Sequence, residues 1–474
     1  MVRKTKIVAT VGPASDSEAG LNDLLATGLD AVRFNMSQQN HTYYDNILKR
    51  IRDWESQNEG VGPAILVDLA GPKIRTVDFA DGWELTDGAA VLLGCAGAVA
   101  PTEGIPLTGE FKFRGVKEGA RISADDGRIL LDVIASISNE LLEVRVKRGG
   151  FLKPRKGVNF INIDLDVPAI TAKDVADFEF ALEKNVDWVA LSFVRHADDI
   201  EPLQRIMNQH QKYIPILAKI EKPEALDALD EIVQAFDGVM VARGDLGVEV
   251  PLEQLPAIQK RIIRTANMAG KTVVIATQLL STMQENPYPT RAEVTDVANA
   301  VYDGTDALLL TGETAIGKFP VETVQQMDRI ISEVEIDPKV DPRMAVVIPQ
   351  HTESDAIAHA SGNIANLLDI RVIVTMTHSG ATARAVSKYR PFATIYSLTP
   401  FLPVARQLKL TWGVQPIVVQ PYANTDEMLA LATEKLTALQ AVAAGDRFVL
   451  SAGIPIGQSG TTNMLKIQVV DPVT

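Results

Sequence analysis

Charged and polar side chains follow most of the short apolar runs in this sequence, at the point where each run ends. They are cations, carboxylates and hydroxyls: Arg33, Asn35, Ser37, Asp68, Ser192, Lys219, Glu221, Arg243, Asp245, Thr277 and Glu313. Two carboxylates, Glu221 and Asp245, are hard oxygen ligands of the kind that Mg2+ takes together with substrate and water. The cations Arg33, Lys219 and Arg243 would offset phosphate charge. The set therefore indicates chemistry on a phosphorylated substrate bridged to a divalent metal.

The same residues could instead pair with one another as buried salt bridges at the rim of a barrel. For any single residue this structural interpretation explains the pattern as well as a functional one. For the whole set we favour function, because so many desolvated charges would be costly without a ligand to compensate them.

Parallel strands connected by helices would bring these residues together. The apolar, β-branched runs alternate with amphipathic stretches, a pattern that predicts βα units. We count eight predicted strands, at residues 7–11, 32–36, 65–69, 189–194, 214–220, 239–242, 273–277 and 307–311. Eight such strands close an α/β TIM (β/α)8 barrel, whose active site lies at the carboxyl ends of the strands. A doubly wound sheet could use most of them too, but we favour the barrel.

Two further domains are predicted from the spacing. Residues 69–189 separate the third and fourth strands, and the many glycines between short apolar runs there are typical of a small all-β domain. After the eighth strand, a helix over 321–335 and a linker with Pro338, Pro342 and Pro349 lead into alternating strands and helices. We predict a catalytic barrel over 1–70 and 169–337, an inserted β-barrel lid over 71–168 and a carboxy-terminal α/β domain over 338–474.

The composition excludes several other classes of protein. The 474 residues carry 46 Lys plus Arg and 60 Asp plus Glu, a formal net charge of -14 that disfavours nucleic acid as a partner. No apolar run reaches the roughly 18 residues that span a membrane, and the first residues do not read as a secretion signal. The lone cysteine, Cys95, cannot form an internal disulfide, which fits a cytoplasmic protein.

Long stretches of the sequence resemble pyruvate kinases, in order and over essentially the whole chain. The similar segments are KIVATVGPAS, VRFNMS, VDLAGPKIR, KGVNF, ALSFVR, AKIEKPEAL, GVMVARGDLGVEVP, VIATQLLSTM and PTRAEVTDVANAVYDGTDALLLTGETAIGKFPVE. The resemblance implies transfer of the phosphoryl group of phosphoenolpyruvate to ADP, giving pyruvate and ATP in the final step of glycolysis. It also implies a cytoplasmic homotetramer whose barrel carries a β lid and a regulatory carboxy-terminal domain.

The resemblance also assigns roles to individual residues. Lys219 would stabilise the phosphoryl group in flight, because its charge is then spread over several oxygens. Glu221 and Asp245 would hold Mg2+ or Mn2+, and Arg33 would bind the phosphate. Thr277 would donate a proton directly or order a water, since a Thr hydroxyl alone is a poor acid. The other implied contacts are the substrate carboxylate at the backbone of Gly244 and Asp245, the enolate carbon at Thr277, and the nucleotide at Arg75 and Lys156.

Glycines in the segment VARGDLGVEVP favour a backbone anion site. Gly244 and Gly247 would let the chain turn tightly and direct free N–H groups toward a substrate carboxylate. By itself this signal is weak, since many βα loops contain glycine.

The predicted nucleotide contacts rest on the resemblance. Arg75 lies in GPKIR and Lys156 in RKGVN, where Lys156 taken by itself would belong to a solvated turn. The family usually continues RxNxS with a His-Gly pair near the nucleotide base, whereas Gln38 and Gln39 follow here. Base contacts and nucleotide preference are therefore left open.

The monovalent-cation site departs from the pattern of the family. Many members bind potassium through residues that correspond to Asn35, Ser37 and Asp68. Potassium-dependent members continue DTKGPEIR, whereas this chain reads DLAGPKIR, with Leu69 and Lys73. We hypothesise that the Lys73 ammonium supplies the charge that potassium supplies elsewhere, so that no potassium is required. The alternative is a surface lysine at the lid hinge.

Two loops of the predicted third domain are rich in glycine and hydroxyl groups. TMTHSGATARAV lies between a strand and a helix, and GQSGTTN lies near the end of the chain. Such loops bind anions, and the resemblance implies allosteric activation there by a sugar phosphate or nucleotide. The alternative is an ordinary βα turn with a Ser or Thr cap. The candidate effector contacts are Thr377, Ser379, Gly380, Thr382, Gly460 and Thr461.

Two other functions fit parts of the pattern. A barrel lyase or aldolase that acts on an enolate with Mg2+ would use a similar metal-binding strand, but it would need neither the inserted lid nor the third domain. A metabolite-sensing protein with an inactive barrel would not need an intact catalytic set.

Overall fold

The chain begins with three buried strands and two helices. The computed structural model describes residues 2–471 apart from positions 110, 126, 162, 164, 166, 337–348, 351 and 457–460. Its first elements are β1 (Lys6–Thr10), α1 (Glu18–Ala26), β2 (Ala31–Asn35), α2 (His41–Gln57) and β3 (Ala64–Asp68). Every residue of β1 and β3 is buried, as expected for apolar strands covered on both faces. The Ser17 and Asn40 side chains cap the two helices by accepting backbone N–H groups.

An all-β insertion follows β3. Its strands are β4 (Arg75–Thr76), β5 (Trp83–Leu85), β6 (Ala90–Cys95), β7 (Gly104–Thr108), β8 (Arg121–Ala124), β9 (Ile129–Ser138), β10 (Leu141–Arg148), β11 (Gly150–Leu152) and β12 (Val158–Ile161). One sheet has the order β12-β8-β9-β10-β6-β7-β4, and β5 pairs with β11. Phe111, Phe113 and Phe160 belong to a core that is separate from the barrel core. The predicted insertion is thus confirmed as a barrel-like β lid.

The chain then returns to the first sheet. The strands are β13 (Trp188–Leu191), β14 (Ile216–Ile220), β15 (Gly238–Ala242), β16 (Thr272–Ala276) and β17 (Ala307–Leu310). The helices are α3 (Ala172–Glu183), α4 (Glu201–His210), α5 (Pro223–Asp227), α6 (Leu229–Ala235), α7 (Arg243–Glu249), α8 (Leu255–Ala269), α9 (Arg291–Tyr302), α10 (Gly312–Ala315) and α11 (Pro320–Ile336). Short 3₁₀ turns lie at Ala197–Ile200, Leu252–Gln254 and Ser281–Gln284.

Eight parallel strands close into a barrel in the order β1-β2-β3-β13-β14-β15-β16-β17. The prediction of a TIM barrel is therefore confirmed. Val8, Leu66 and Met240 belong to the core enclosed by the strands, while the alternating residues pack against the helices. Two predicted bounds are wrong by two or more residues, because the fourth strand ends at Leu191 rather than 194 and the fifth begins at Ile216 rather than 214. The other barrel-strand bounds agree to within one residue.

A five-stranded α/β unit follows the barrel. Its strands are β18 (Val372–Met376), β19 (Thr394–Thr399), β20 (Val414–Val418), β21 (Arg447–Gly453) and β22 (Thr462–Val469). Its helices are α12 (Glu353–Leu367), α13 (Ala381–Lys388), α14 (Leu402–Gln407) and α15 (Thr425–Ala438), with a 3₁₀ turn at Leu408–Leu410. The sheet order is β20-β19-β18-β21-β22, and β22 alone is antiparallel to its neighbour. The predicted α/β domain is confirmed, whereas Pro338 and Pro342 of the predicted linker lie outside the described residues.

This unit is anchored at the amino-terminal ends of the barrel strands. The Lys6 ammonium donates to the Val414 carbonyl at 2.7 Å, and Arg390 pairs with Asp306 at 2.9 Å. Leu410 joins the core inside the barrel. The carboxyl ends of the strands therefore face the lid side. No helix formed by the described residues is long and apolar enough to cross a membrane.

Candidate active site

Five of the predicted residues meet at the carboxyl ends of β2, β3, β13 and β14. The Asp68 carboxylate lies 2.7 Å from the Arg33 guanidinium and 3.2 Å from the Lys219 ammonium. Lys219 Nζ is also 3.0 Å from Glu221 Oε1 and donates to Ser192 Oγ at 2.7 Å. Each residue is placed by a strand whose side chains alternate between two faces. The five side chains form one connected network.

The network is largely buried, and its opposite charges favour the ionised forms of Lys219 and Asp68. Burial alone lowers the pKa of Lys219, but the Asp68 and Glu221 carboxylates outweigh it and raise that pKa above its ordinary value. Burial acts to raise the pKa of Asp68, yet Lys219 and Arg33 bring it below its ordinary value. Lys219 therefore carries its positive charge at physiological pH.

The carboxylate oxygens of the site suit a hard divalent cation. Burial raises the pKa of Glu221, and the Asp245 charge adds to this effect against the opposing Lys219. Within the described chain, Glu221 Oε1 and Asp68 Oδ1 are buried oxygens without a directed hydrogen bond. A cation between Glu221 and Asp245 would relieve their repulsion.

Two carboxylates do not complete a metal site. Among the described residues there is no cluster of three or more His, Cys, Asp or Glu that could hold a metal ion. Mg2+ is commonly bound by one or two carboxylates together with water and substrate phosphate. The donor set at Glu221 and Asp245 therefore fits Mg2+ with substrate as a further ligand.

Lys73 pairs with one of the predicted metal ligands. Its ammonium donates to Asp245 Oδ1 at 2.8 Å and lies 5.9 Å from the centre of the Phe193 ring. Burial acts to raise the pKa of Asp245, but Lys73 and Lys219 together hold it below its ordinary value. Lys73 lies where the chain enters the lid, and its ammonium is paired with this carboxylate.

The residues predicted to bind a monovalent cation are brought together only in part. The Ser37 N–H and hydroxyl both donate to Asn35 Oδ1, at 3.2 and 2.8 Å. Asp68 is engaged in the ion-pair network, and the Leu69 side chain is buried in the hydrophobic core around the barrel. Lys73 directs its hydrogen bond to another carboxylate.

Thr277 and Gln278, at the end of β16, have left-handed backbones with φ of 69° and 54°. This conformation costs roughly 1–2 kcal/mol for a residue with a side chain, so neighbouring groups must hold it. The Arg243 guanidinium donates to the Thr277 carbonyl at 2.7 Å and to the Gln278 carbonyl at 3.1 Å, and it pairs with Asp296 at 2.8 Å. The Thr277 hydroxyl in turn accepts the Gly244 N–H at 2.8 Å.

Two predictions about this region are wrong. Arg243 is not available to offset phosphate charge, because it is buried and its donors are taken by two carbonyls and Asp296. Gly244 and Gly247 do not form a tight glycine turn, since both lie in α7 and neither has a positive φ. The segment RGDLGVE is compatible with a glycine turn or a short helix, and only the packing against β16 and the lid decides between them.

Replacing Arg243 by lysine tests this buried support. A lysine keeps the charge, but its single ammonium cannot span both carbonyls and the Asp296 carboxylate. We expect Arg243→Lys to lower the free energy of unfolding of the barrel by about 2 kcal/mol, measured as a lower midpoint in thermal denaturation. Arg264→Lys, at an exposed position of α8, is the matched control. Equal midpoints for the two variants would contradict the assigned role.

The two predicted nucleotide contacts lie on adjoining backbone segments at the base of the lid. The Arg75 guanidinium donates to the Arg155 carbonyl at 3.1 Å, and its backbone bridges to Gly157. Lys156 Nζ pairs with Asp125 at 2.6 Å. Asp125 was missed by sequence reasoning, because nothing in its local sequence distinguishes it from other acidic turn residues. This carboxylate fixes the Lys156 ammonium at the base of the lid.

Most of the predicted effector residues surround one small cavity at the carboxyl end of β18. The cavity has a volume of about 20 Å³ and is lined by Thr377, Ser379, Thr382 and Thr461. Gly380 has φ of 80°, a conformation that favours glycine, and its N–H donates to Thr377 Oγ at 2.9 Å. Gly460 lies outside the described residues.

Comparison with known proteins gives matches over nearly the whole chain. The family model described as "Pyruvate kinase, barrel domain" matches residues 2–324, and "Pyruvate kinase, alpha/beta domain" matches residues 355–468. The chain is 41% identical over 476 residues to a pyruvate kinase of Geobacillus stearothermophilus, covering 99% of this chain and 81% of that protein. It is 42% identical over 481 residues to pyruvate kinase 2 of a Synechocystis strain, covering 99% and 80%. A pyruvate kinase of Staphylococcus aureus is 40% identical over 474 residues, covering 99% and 81%.

Proposed function

The chain belongs to the pyruvate kinase family of phosphotransferases, and we propose on this premise that it transfers the phosphoryl group of phosphoenolpyruvate to ADP with Mg2+ as cofactor. The products are pyruvate and ATP, as in the last step of glycolysis. The observation that carries the proposal is the Lys219 ammonium, which is 12% exposed and lies between Asp68 and Glu221 at the carboxyl ends of the barrel strands.

Lys219 and Arg33 would act on the phosphoryl group during transfer. In a loose transition state the negative charge spreads over its oxygens. The Lys219 ammonium has three partners at 2.7–3.2 Å and would stabilise this charge without reorganising. The Arg33 guanidinium is oriented by Asp68 and Thr10, at 2.7 and 3.1 Å, and would bind the phosphate.

Glu221 and Asp245 would hold Mg2+, or Mn2+ in its place. When bound, the metal would offset charge on the phosphoryl oxygens. The buried Glu221 oxygen without a directed hydrogen bond supports this assignment. Phe193 N–H donates to the other Glu221 oxygen at 2.8 Å and would keep the carboxylate oriented toward the metal.

Lys73 would replace a potassium ion in the charge balance of the site. Its support is the 2.8 Å hydrogen bond to Asp245, which places an ammonium group beside a proposed metal ligand. The buried Leu69 side chain offers no oxygen to a monovalent cation. Potassium would therefore not be required for activity.

Thr277 would face the enolate carbon, and the backbone at Gly244 and Asp245 would meet the substrate carboxylate. The Thr277 hydroxyl accepts the Gly244 N–H, so its own hydrogen is left to donate to another group. It would protonate the enolate directly or order the water that does so. A substrate carboxylate bound at Gly244 would compete with the Thr277 hydroxyl for the same N–H. Substrate binding would therefore be linked to the protonation of the enolate.

Arg75 and Lys156 would bind the phosphates of ADP and ATP from the base of the lid. Their support is that both cations lie on adjoining segments, with Lys156 held by Asp125. Gln38 and Gln39 stand where a base-contacting His-Gly pair is usual, so nucleotide preference is best measured with ADP, GDP and UDP.

The carboxy-terminal unit would bind a phosphorylated effector. The support for an anion site is the four hydroxyl side chains around its small cavity, in a loop that turns at Gly380 with φ of 80°. We further propose a cytoplasmic homotetramer, with the domain division 1–70 and 169–337, 71–168, and 338–474. The last boundary lies in residues 337–348, outside the described part of the chain.

A coupled assay tests the proposed reaction. We expect pyruvate to form from phosphoenolpyruvate and ADP in the presence of MgCl2, and the rate to fall to background with excess EDTA and to return with MgCl2 or MnCl2. The assay follows pyruvate through NADH oxidation by lactate dehydrogenase. No pyruvate formation by the folded protein would overturn the proposal, and full activity in EDTA would overturn the metal requirement.

A further inference from the structure

Both segments that join the lid to the barrel contact the same short helix, α7. At the entrance of the lid, Lys73 donates to Asp245 at 2.8 Å. At its exit, the Asn159 amide on β12 donates to Glu249 Oε1 at 3.0 Å. Asp245 and Glu249 are four residues apart in α7, so they lie on one face of it, about one turn from each other. The two lid connections therefore hold the two ends of one rigid element.

Glu249 has the least exposed side chain of the four residues in these two lid contacts. Its side chain is 1% exposed, and Oε1 also accepts a hydrogen bond from Lys222 Nζ at 2.6 Å. Its other oxygen is buried and has no hydrogen-bond partner in the described residues. A buried carboxylate is costly unless its partners are in place, so the position of Glu249 depends on Asn159 and Lys222.

The contacts of Glu249 lead to both proposed metal ligands. Lys222 directly follows Glu221 at the end of β14, and Asp245 is one turn away in α7. The same helix contains Gly244, whose N–H bonds to Thr277. A displacement of β12 would therefore act through one carboxylate on both metal ligands and on the substrate-carboxylate site.

We propose that Glu249 is a positioning residue that transmits the position of the lid to α7, and so sets metal affinity and substrate affinity together. The inference rests on the proposed function for the identity of the substrate, whereas the contacts of Glu249 are seen in the structure itself. When the lid moves, Asn159 moves with it and displaces Glu249 through their hydrogen bond. The displacement of α7 would then change the distance between Asp245 and Glu221. The lid contact then strengthens metal binding even before a nucleotide is bound.

The Asn159→Ala variant tests the link with least disturbance. It removes the lid contact and leaves the Lys222–Glu249 ion pair in place. We expect the Kd for Mn2+ in the substrate-free enzyme to be about tenfold higher than in the wild type, as measured by electron paramagnetic resonance of the free ion. We also expect the KM for phosphoenolpyruvate to be about tenfold higher. Asn139→Ala, at an exposed turn of the lid, is the matched control and should match the wild type.

A double variant separates coupling from general destabilisation. We expect Glu249→Gln to weaken Mn2+ binding as Asn159→Ala does, and the double variant to be no weaker than Glu249→Gln alone, since both act through one contact. Independent effects that multiply, or an Asn159→Ala variant with the Kd and KM of the control, would overturn the inference. If Glu249→Gln does not fold, the Asn159→Ala comparison still decides. Wild-type protein that binds Mn2+ but forms no pyruvate would count against the proposed function only.

Discussion

Replacing Lys219 by methionine is expected to lower kcat for pyruvate formation by about 10³-fold or more. Methionine fills a similar volume but has no charge to place against the transferring phosphoryl group. The other cation of the network, Arg33, is itself paired with Asp68 at 2.7 Å, so it could replace the lost ammonium only by breaking that pair. The measurement is steady-state kinetics in the coupled assay at saturating Mg2+.

The control must separate lost catalysis from lost stability. Removing the ammonium leaves Asp68 and Glu221 buried with less compensation, so the thermal midpoint and circular dichroism spectrum of Lys219→Met belong beside its kinetics. Lys49→Met, on the exposed face of α2, is the matched control and should keep wild-type activity. A folded Lys219→Met enzyme that retained more than a tenth of wild-type kcat would rule out the assigned role.

Replacing Lys73 by glutamate is expected to create a potassium requirement. In tetramethylammonium chloride without potassium, the wild type should be fully active, whereas Lys73→Glu should lose about 10²-fold in kcat/KM. The ammonium now lies 2.8 Å from Asp245, and a carboxylate there would repel a proposed metal ligand. Potassium chloride should restore part of the loss, because a monovalent cation can offset the added charge.

Two further variants serve as controls for the Lys73→Glu experiment. Lys73→Gln removes the charge without adding repulsion and should lie between the wild type and Lys73→Glu in both salts. Lys117→Glu, at an exposed position of the lid, makes the same charge change away from the site and should leave the salt dependence unaltered. A wild-type enzyme that is inactive without potassium would contradict the proposed role of Lys73.

Much of the fold follows from local sequence alone. A strand buried on both faces must be a nearly continuous apolar run, and eight such runs separated by amphipathic stretches are readily counted. The long gap between β3 and β13 likewise indicates an insertion, because a βα connection needs few residues. Strand ends are less well determined, since apolar residues such as Val194 and Ile214 are buried whether or not they join the barrel sheet.

The types of residue at the site were also determined by the sequence. A residue that ends a barrel strand lies at the carboxyl face whatever the rest of the chain does, so Arg33, Asp68, Lys219 and Glu221 could be expected near one another. Their network needs little more than the closure of the barrel.

Only the tertiary structure decided which partners these groups and their neighbours take. Lys73 and Asp245 are 172 residues apart, and Asn159 and Glu249 are 90 apart, so their contacts depend on how the lid docks on α7. The sequence suggests that Arg243 is a phosphate ligand, but in the packed structure its guanidinium donates to the backbone carbonyl of Thr277. Chain order and side-chain periodicity are local properties, whereas the pairing of charges depends on distances between elements that are set only when the whole molecule packs.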